Sequence, residues 1–178
     1  MTTRIMKPDR LRLLAIAVAY GRVGYVFLIR DELKDWHMSK KASLSPKVAR
    51  AKAAQWIAYL EPNVVVTENV GMASRKSPKT IRRIHAIARI AKAADLVDVI
   101  VIRRQEFKNK YEEADHLIQR FPQLKAWRPK KRKMWMPEPR NTIYFEALSI
   151  ALTAKEGFEA NSASKLPDRS KFSKGQEL

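Results

Sequence analysis

The stretch that decides the fold is Leu11-Arg-Leu-Leu-Ala-Ile-Ala-Val-Ala-Tyr20, followed by Gly21-Arg-Val-Gly24 and Tyr25-Val-Phe-Leu-Ile29. Two apolar runs rich in β-branched and aromatic residues, separated by a short break that contains glycine, are typical of a β-hairpin. Asp31-Glu32 supplies the next turn, and a third extended piece surrounds Leu33 to His37. We therefore predict three antiparallel strands in succession.

Helices and strands alternate in the rest of the chain. Apolar residues recur at helical spacing after Ser45-Pro46, a pair that supplies a cap and a proline in the first turn. Val64-Val-Val66 and the segment from Val97 to Ile102 are short apolar runs of the kind found in buried strands. Further helices are predicted at about residues 78–94, 108–120 and 141–156. This order, β-β-β-α-β-α-β-α-α, predicts an α/β fold with a mixed five-stranded sheet and helices on both faces.

The composition restricts the class of partner. Lys and Arg number 36 against 18 Asp and Glu, so the formal charge is +18. Such an excess favours a polyanionic partner, with nucleic acid as the first candidate and an anionic membrane surface as the second. The absence of cysteine excludes disulfides, thiolate catalysis and cysteine-based zinc sites. The longest apolar run, Leu13 to Tyr20, is far shorter than the roughly 20 residues of a membrane span, and the N-terminal residues lack the features of a signal peptide. We expect a soluble cytoplasmic protein.

Much of the positive charge lies in two segments. From Met72 to Lys92 there are seven cations and no carboxylate, and from Lys125 to Arg140 there are seven cations against Glu138 alone. The second segment also contains Trp127 and Trp135. Such aromatic side chains can stack on bases while cations neutralise phosphates; the alternative is that the tryptophans anchor a solvated loop to the core. The predicted nucleic-acid-binding residues are Arg75, Lys76, Lys79, Arg82, Arg83, Arg89, Arg128, Lys130, Lys131, Arg132, Lys133, Trp135 and Arg140.

Two carboxylates stand at positions that favour chemistry. Glu68 directly follows a predicted central strand, where open α/β sheets place their ligands. Glu146 interrupts an apolar stretch of the last predicted helix and is expected to point inward or toward a cleft. Two converging acids would bind a hard cation such as Mg²⁺. The alternatives are that Glu68 caps a helix or turn, and that Glu146 pairs with a nearby arginine.

Several short motifs resemble the Holliday junction resolvase family RuvC, within the ribonuclease H-like superfamily. They are the order of elements, Val-Val-Val-Thr-Glu-Asn around Glu68, Phe-Glu-Ala-Leu-Ser-Ile-Ala-Leu from Phe145 to Leu152, the pair Gly24-Tyr25, and the basic tryptophan-containing segment Pro129 to Met136. The likeness covers about residues 11–155. It implies a ribonuclease H-like fold, a Mg²⁺-dependent endonuclease that acts on branched DNA, and a homodimer.

The resemblance assigns catalytic and metal-binding roles to Glu68 and Glu146. An acid is expected on the first strand at Ala17, and it is missing; Ile143 is apolar where the resolvases often carry a further acid or histidine. Two-metal hydrolysis needs about three or four carboxylates to hold both cations. The sequence therefore predicts at most one weakly held Mg²⁺.

Three hypotheses about function follow. The first is a RuvC-like domain that binds branched or structured DNA, with nuclease activity impaired or lost. The second is an active metal-dependent junction endonuclease with a substituted site, and the third is a basic structural or assembly protein that uses the fold as a scaffold. RNA is the alternative nucleic-acid partner. We predict an N-terminal arm at residues 1–10, the domain at residues 11–156 and a disordered basic tail at residues 157–178.

Overall fold

The structure is a computed structural model, and it describes residues 10–71 and 74–163. The elements in chain order are β1 (Arg12–Ala19), β2 (Arg22–Ile29), β3 (Glu32–Ser39), α1 (Pro46–Leu60), β4 (Val64–Glu68), α2 (Pro78–Ala93), β5 (Val97–Val101), α3 (Lys110–Arg120) and α4 (Thr142–Ala163). Short 3-10 helices precede α1 and follow α3. The predicted order of strands and helices is confirmed.

The five strands form one mixed sheet in the order β3-β2-β1-β4-β5. The first three are antiparallel neighbours, whereas β4 is parallel to β1 and β5 is parallel to β4. Ala15 pairs with Val66 at the end of the β1–β4 register, and Ala17 and Glu68 each lie two residues further along their strands. The carboxyl ends of β1, β4 and β5 therefore share one side of the sheet, which we call the carboxyl edge.

Two glycines of the first hairpin are required by backbone geometry. Gly21 has φ +71° at the turn between β1 and β2, a left-handed conformation that L side chains rarely adopt. Gly24 lies under α4, where a Cβ atom would come within 2.9 Å of the Ile143 side chain. The glycine at this second position allows α4 to pack directly against β2.

Helices cover both faces of the sheet, as predicted. On one face, Leu14, Ile16 and Val18 pack with the buried residues of α1 and α2. On the other face, Ala15 and Ala17 pack with buried residues of α3 and α4. Because successive residues of a strand point to opposite faces, Ala17 and Glu68 both point toward α4.

The two helices of the first face begin with the same local chemistry. The Ser45 side chain accepts a hydrogen bond from the Val48 amide, and the Ser77 side chain accepts one from the Thr80 amide. A proline follows each serine, where its missing amide hydrogen costs nothing. These caps place the starts of α1 and α2.

Two sequence predictions differ from the structure. The last helix continues through Ala163 rather than ending at residue 156, because Phe158 continues the apolar face that packs on the core. The strand β5 is half-exposed rather than buried, since it lies at the sheet edge with β4 as its one neighbour among the described strands. Residues 1–9 of the predicted arm and 164–178 of the predicted tail lie outside the described residues.

Candidate functional site

The two acids predicted from the sequence meet at the carboxyl edge. Glu68 is the last residue of β4, and Glu146 lies on α4 with only 3% of its surface exposed. The burial of Glu146 follows from the helical period, since Ile143 and Ile150, one turn on either side of it, are buried as well. Both carboxylates contact the same ammonium group, that of Lys76.

Lys76 lies just before α2 and turns inward to join three oxygen atoms. Its Nζ is 2.8 Å from Glu68 Oε2, 3.5 Å from Glu146 Oε2 and 2.8 Å from the main-chain oxygen of Val18. An ammonium group has three N–H donors, so these oxygens match its full donor capacity. Lys76 was predicted to bind nucleic acid, but in the structure its charge is directed into the protein.

The other oxygen of Glu146 is also occupied. Lys110 Nζ is 2.9 Å from Glu146 Oε1, and the Arg103 guanidinium is 3.8 Å from the same atom. Lys110 also donates to Glu138 at 2.6 Å, and Arg103 pairs with Glu113. The carboxylate of Glu146 is therefore surrounded by three cations.

These contacts form one continuous network, which we call the ion-pair cluster. Arg22 completes it, with a 2.7 Å bond to Glu138 and a 2.9 Å bond to the Thr142 hydroxyl. The cluster contains four carboxylates and four cations, so its formal charge is zero. Its members are Arg22, Glu68, Lys76, Arg103, Lys110, Glu113, Glu138 and Glu146.

The surrounding charges keep Glu146 ionised. Burial by itself would raise the pKa of Glu146, but the positive charges of Lys76, Lys110 and Arg103 outweigh burial and lower it. Burial would lower the pKa values of Arg103 and Lys110, and the neighbouring carboxylates raise both instead. The cluster is thus a set of full charges that hold one another in their charged forms.

The residues at this edge do not fit a magnesium ion. Within residues 10–71 and 74–163, no group of three or more His, Cys, Asp or Glu is placed to hold a metal. On the first strand Ala17 is buried and has no ligand atom, and Ile143 on α4 is buried and apolar. An ammonium group already binds Glu68 and Glu146 at the point where the two converge. The structure brings the two predicted acids together, but they form ion pairs with Lys76 instead of a metal site.

The cations of α2 and its approach form the first exposed basic surface. Arg75, Lys79 and Arg82 are exposed, Arg83 is half-buried, and Arg89 is exposed further along the helix. Within the part of the chain that the structure describes, none of them forms an ion pair with a carboxylate. We call this set, without Lys76, the α2 basic surface.

The second exposed surface is the segment Arg128–Arg140, which we call the basic loop. Lys130, Lys131, Arg132 and Lys133 are all exposed, and none has a carboxylate partner among the described residues. Arg132 donates to the main-chain oxygen of Met136, which orders the loop locally. Of the other predicted cations in this loop, Arg128 donates hydrogen bonds to both carboxylate oxygens of Asp115, and Arg140 is exposed.

The two tryptophans of this region have different environments. Trp127 packs edge-on against Tyr144 of α4, with ring centres 5.9 Å apart. Trp135 is 78% exposed, and the Lys133 ammonium lies 5.4 Å from its ring centre. The anchoring role considered from the sequence therefore applies to Trp127, whereas Trp135 is largely exposed and its ring contacts a cation that has no acidic partner among the described residues.

The ion-pair cluster connects both basic surfaces to the sheet. Lys76 belongs to the segment that carries the α2 basic surface, and Glu138 belongs to the basic loop. Through these two residues the cluster holds both segments at the carboxyl edge.

Sequence reasoning missed five members of the cluster, Arg22, Arg103, Lys110, Glu113 and Glu138. A signal existed for Glu113, because it lies four residues before Leu117 on the inward face of α3. Arg103 follows β5 by two residues and so belongs to the same edge as Glu68. Nothing local in the sequence indicates the pairing of Arg22 with Glu138, which are 116 residues apart.

Among the helices of the described residues, none has the length and apolar character needed to cross a membrane.

Comparison with known proteins identifies the fold. Neither a protein-family model nor a curated protein matches the chain. Among solved structures, Thermus thermophilus RuvC aligns with a TM-score of 0.58 and 15% identity over 86% of this chain and 97% of its own. The same protein in complex with a Holliday junction substrate aligns with a TM-score of 0.58 and 14% identity, over 87% and 98%. A Fowlpox virus resolvase bound to Holliday junction DNA aligns with a TM-score of 0.55 and 14% identity, over 82% and 99%. The mixed sheet with its helices is the ribonuclease H-like fold of these structures, as predicted.

Proposed function

We propose that this chain is a RuvC-like nucleic-acid-binding domain that holds branched or structured DNA and has lost most or all endonuclease activity. The observation that carries the proposal is a contrast at the carboxyl edge. The edge itself is a charge-neutral ion-pair cluster, while the two segments attached to it expose cations without acidic partners. Such an arrangement supports binding a polyanion beside the cluster and argues against cleaving it there.

The residues at the carboxyl edge do not support cleavage. Hydrolysis of a phosphodiester in this type of site needs several carboxylates that are free to hold divalent cations. Here the first strand carries Ala17 where the resemblance places an acid, and the acids that do converge are bound by Lys76, Lys110 and Arg103. Within residues 10–71 and 74–163, the carboxyl edge therefore lacks the free oxygen ligands on which the reaction depends.

Exposed cations and the exposed Trp135 side chain support binding. The four consecutive cations Lys130–Lys133 can neutralise phosphates, and the exposed ring of Trp135 can stack on an unpaired base. A branched substrate offers both features together, because its arms bring phosphates close and its branch point exposes bases. Two of the structures with this fold contain Holliday junction DNA, which makes a four-way junction the first substrate to test.

Binding is tested with a labelled four-way junction and a linear duplex of the same sequence. We expect tighter binding to the junction, with an affinity that falls by about 10³-fold or more between 50 and 200 mM salt if six or more phosphates are contacted. An affinity that is insensitive to salt would contradict the proposal. Tighter binding to a structured RNA, or to neither nucleic acid, would favour the RNA partner or the assembly-protein hypothesis.

Cleavage is tested by incubating the same junction with Mg²⁺ or Mn²⁺. We expect no cutting above the level of a mock purification from cells that lack the gene. Cutting that disappears in Glu68→Gln would establish the active endonuclease instead, since that variant removes a ligand charge without removing bulk.

Homodimerisation belongs to the same proposal. A four-way junction has two equivalent halves, and a two-fold dimer would match them. Light scattering after size-exclusion chromatography, with and without junction DNA, measures the stoichiometry directly. Two chains for each junction are expected, and a single chain for each junction would contradict this part of the proposal.

A further inference from the structure

We infer that the ammonium group of Lys76 neutralises the carboxylates of Glu68 and Glu146 and so takes the place of a divalent metal ion between them. The site then keeps its carboxylates together without any metal. This inference concerns the folded protein alone and does not depend on whether the chain binds DNA.

The position of the ammonium group supports this role. Two carboxylates at one point repel each other unless a cation lies between them. Lys76 Nζ lies within 3.5 Å of an oxygen of each, and its third donor goes to the Val18 main-chain oxygen at the end of β1. A lysine ammonium is a compact point charge with three donors, so it can join three oxygens from three different elements. Its side chain is only 18% exposed.

The backbone holds Lys76 at this place. Its amide donates to the Ser74 hydroxyl, and the next residue, Ser77, caps α2 through the Thr80 amide. The Lys76 side chain therefore starts from a fixed main-chain position directly before α2. It reaches the two acids without any rearrangement of α2.

The remaining cations act against a divalent ion at the same point. Lys110 and Arg103 both face Glu146 Oε1, so a metal ion placed between the acids would have Lys76, Lys110 and Arg103 as close neighbours. These positive charges, that of Lys76 above all, repel a divalent ion at this point. The residues therefore favour a site with an internal cation over a site with a bound one.

The decisive experiment compares thermal unfolding of wild-type protein and of Lys76→Met in EDTA and in millimolar MnCl₂ or MgCl₂. The wild-type Tm is expected to be the same in all three solutions. Lys76→Met keeps an unbranched side chain, shorter by the ammonium group, but leaves the acids without their shared cation, so its Tm in EDTA should fall by about 10 °C. Because the vacated place now offers two carboxylates, a metal at about 100 times its Kd should raise the Tm of the variant by roughly 5–10 °C.

Three matched variants separate charge from other effects. Lys79→Met removes an exposed cation of the same segment and should leave the Tm and the lack of metal response unchanged. Lys76→Arg keeps the charge and should show no metal response. Glu68→Gln combined with Lys76→Met removes an acid together with the cation, and it should recover part of the lost Tm in EDTA. If the double variant is no more stable than Lys76→Met alone, Lys76 does not act through charge and the inference fails.

A direct measurement covers the case in which Lys76→Met does not fold. Electron paramagnetic resonance of Mn²⁺ reports free and bound ion in the wild-type protein without any DNA. No bound Mn²⁺ is expected at millimolar concentrations. One Mn²⁺ bound for each chain, abolished by Glu146→Gln, or a wild-type Tm that rises with the metal, would overturn the inference.

Discussion

The ion-pair cluster and the basic loop are both rich in Lys and Arg, yet they use charge in opposite ways. In the cluster each of the four cations contacts at least one carboxylate, and Glu146 contacts three cations. In the basic loop Lys130, Lys131 and Lys133 have no acidic partner among the described residues, and Trp135 is exposed beside them. Charge near the carboxyl edge is therefore divided between a part that is paired within the protein and a part without an acidic partner among the described residues.

The physical basis of this division is solvent. A charge removed from water has a large desolvation cost and is tolerated only when it is paired, as in the cluster. An exposed charge keeps its hydration and is screened by salt over about 8–10 Å, so a run of unpaired lysines is tolerated at the surface. The same residue types are therefore paired inside the protein in one region and stay hydrated at the surface in the other.

The largest effect is expected from breaking the cluster at its most buried acid. Glu146→Gln leaves Lys76, Lys110 and Arg103 without their shared partner, and the free energy of unfolding should fall by about 3–5 kcal/mol. Urea denaturation measures it. Glu156→Gln on the exposed side of the same helix is the control and should change stability by no more than about 0.5 kcal/mol. Equal stability of both variants would mean that the cluster does not stabilise the fold.

The next largest effect is expected from replacing each of the two tryptophans with alanine. Trp135→Ala should weaken binding to a four-way junction by about 1–3 kcal/mol for each stacked base, which is roughly 5- to 150-fold, and should leave stability unchanged. Trp127→Ala should do the reverse, because it removes the ring contact with Tyr144. Fluorescence anisotropy and urea denaturation of both variants provide the two readouts. If Trp135→Ala binds as tightly as the wild-type protein, the exposed ring does not contact DNA.

A smaller effect is expected from the lysines of the basic loop. Lys130→Ala combined with Lys131→Ala should flatten the dependence of log K on log salt by about 1.8, since each phosphate contact contributes about 0.9. The matched control is Arg10→Ala combined with Lys34→Ala, which removes the same charge from a cleft at the other end of the sheet. The control should keep the wild-type slope. If both pairs change the slope equally, binding depends on net charge rather than on this loop.

The smallest effect is expected at Tyr25, on the face of the sheet that contains neither the ion-pair cluster nor the basic loop. The Tyr25 hydroxyl donates to Asp35 at 2.8 Å, and burial together with this bond raises the pKa of Tyr25. The folded state therefore holds this proton more tightly than the unfolded state does. The resulting stability is complete below the ordinary tyrosine pKa of about 10 and is lost as the pH rises toward the raised value. Tyr25→Phe should cost about 1 kcal/mol at neutral pH and should reduce the decline in stability above pH 10. An unchanged alkaline decline would exclude Tyr25 as its source.

The fold could be predicted from the sequence because the patterns that specify its strands and helices are local. Two apolar runs around Gly21, serine-proline pairs before two helices and short valine-rich segments each specify an element over fewer than 20 residues. Glu68 and Glu146 were also accessible, since a strand end and an interruption of an apolar helix are local features. The length of the last helix was underestimated, because Phe158 adds a core contact after a run of polar residues.

The sequence by itself therefore determined the order of the elements, the mixed sheet and the overall excess of positive charge. Only the tertiary structure decided which cations remain available, because pairing depends on contacts between residues far apart in the chain. Lys76 and Lys131 carry the same charge, but Lys76 is folded against Glu68 and Glu146 and Lys131 is exposed to water. Coulomb attraction depends on the distance between two charges, and the desolvation cost depends on how deeply each charge is buried. Both the distances and the burial are set only when the strands and helices pack together.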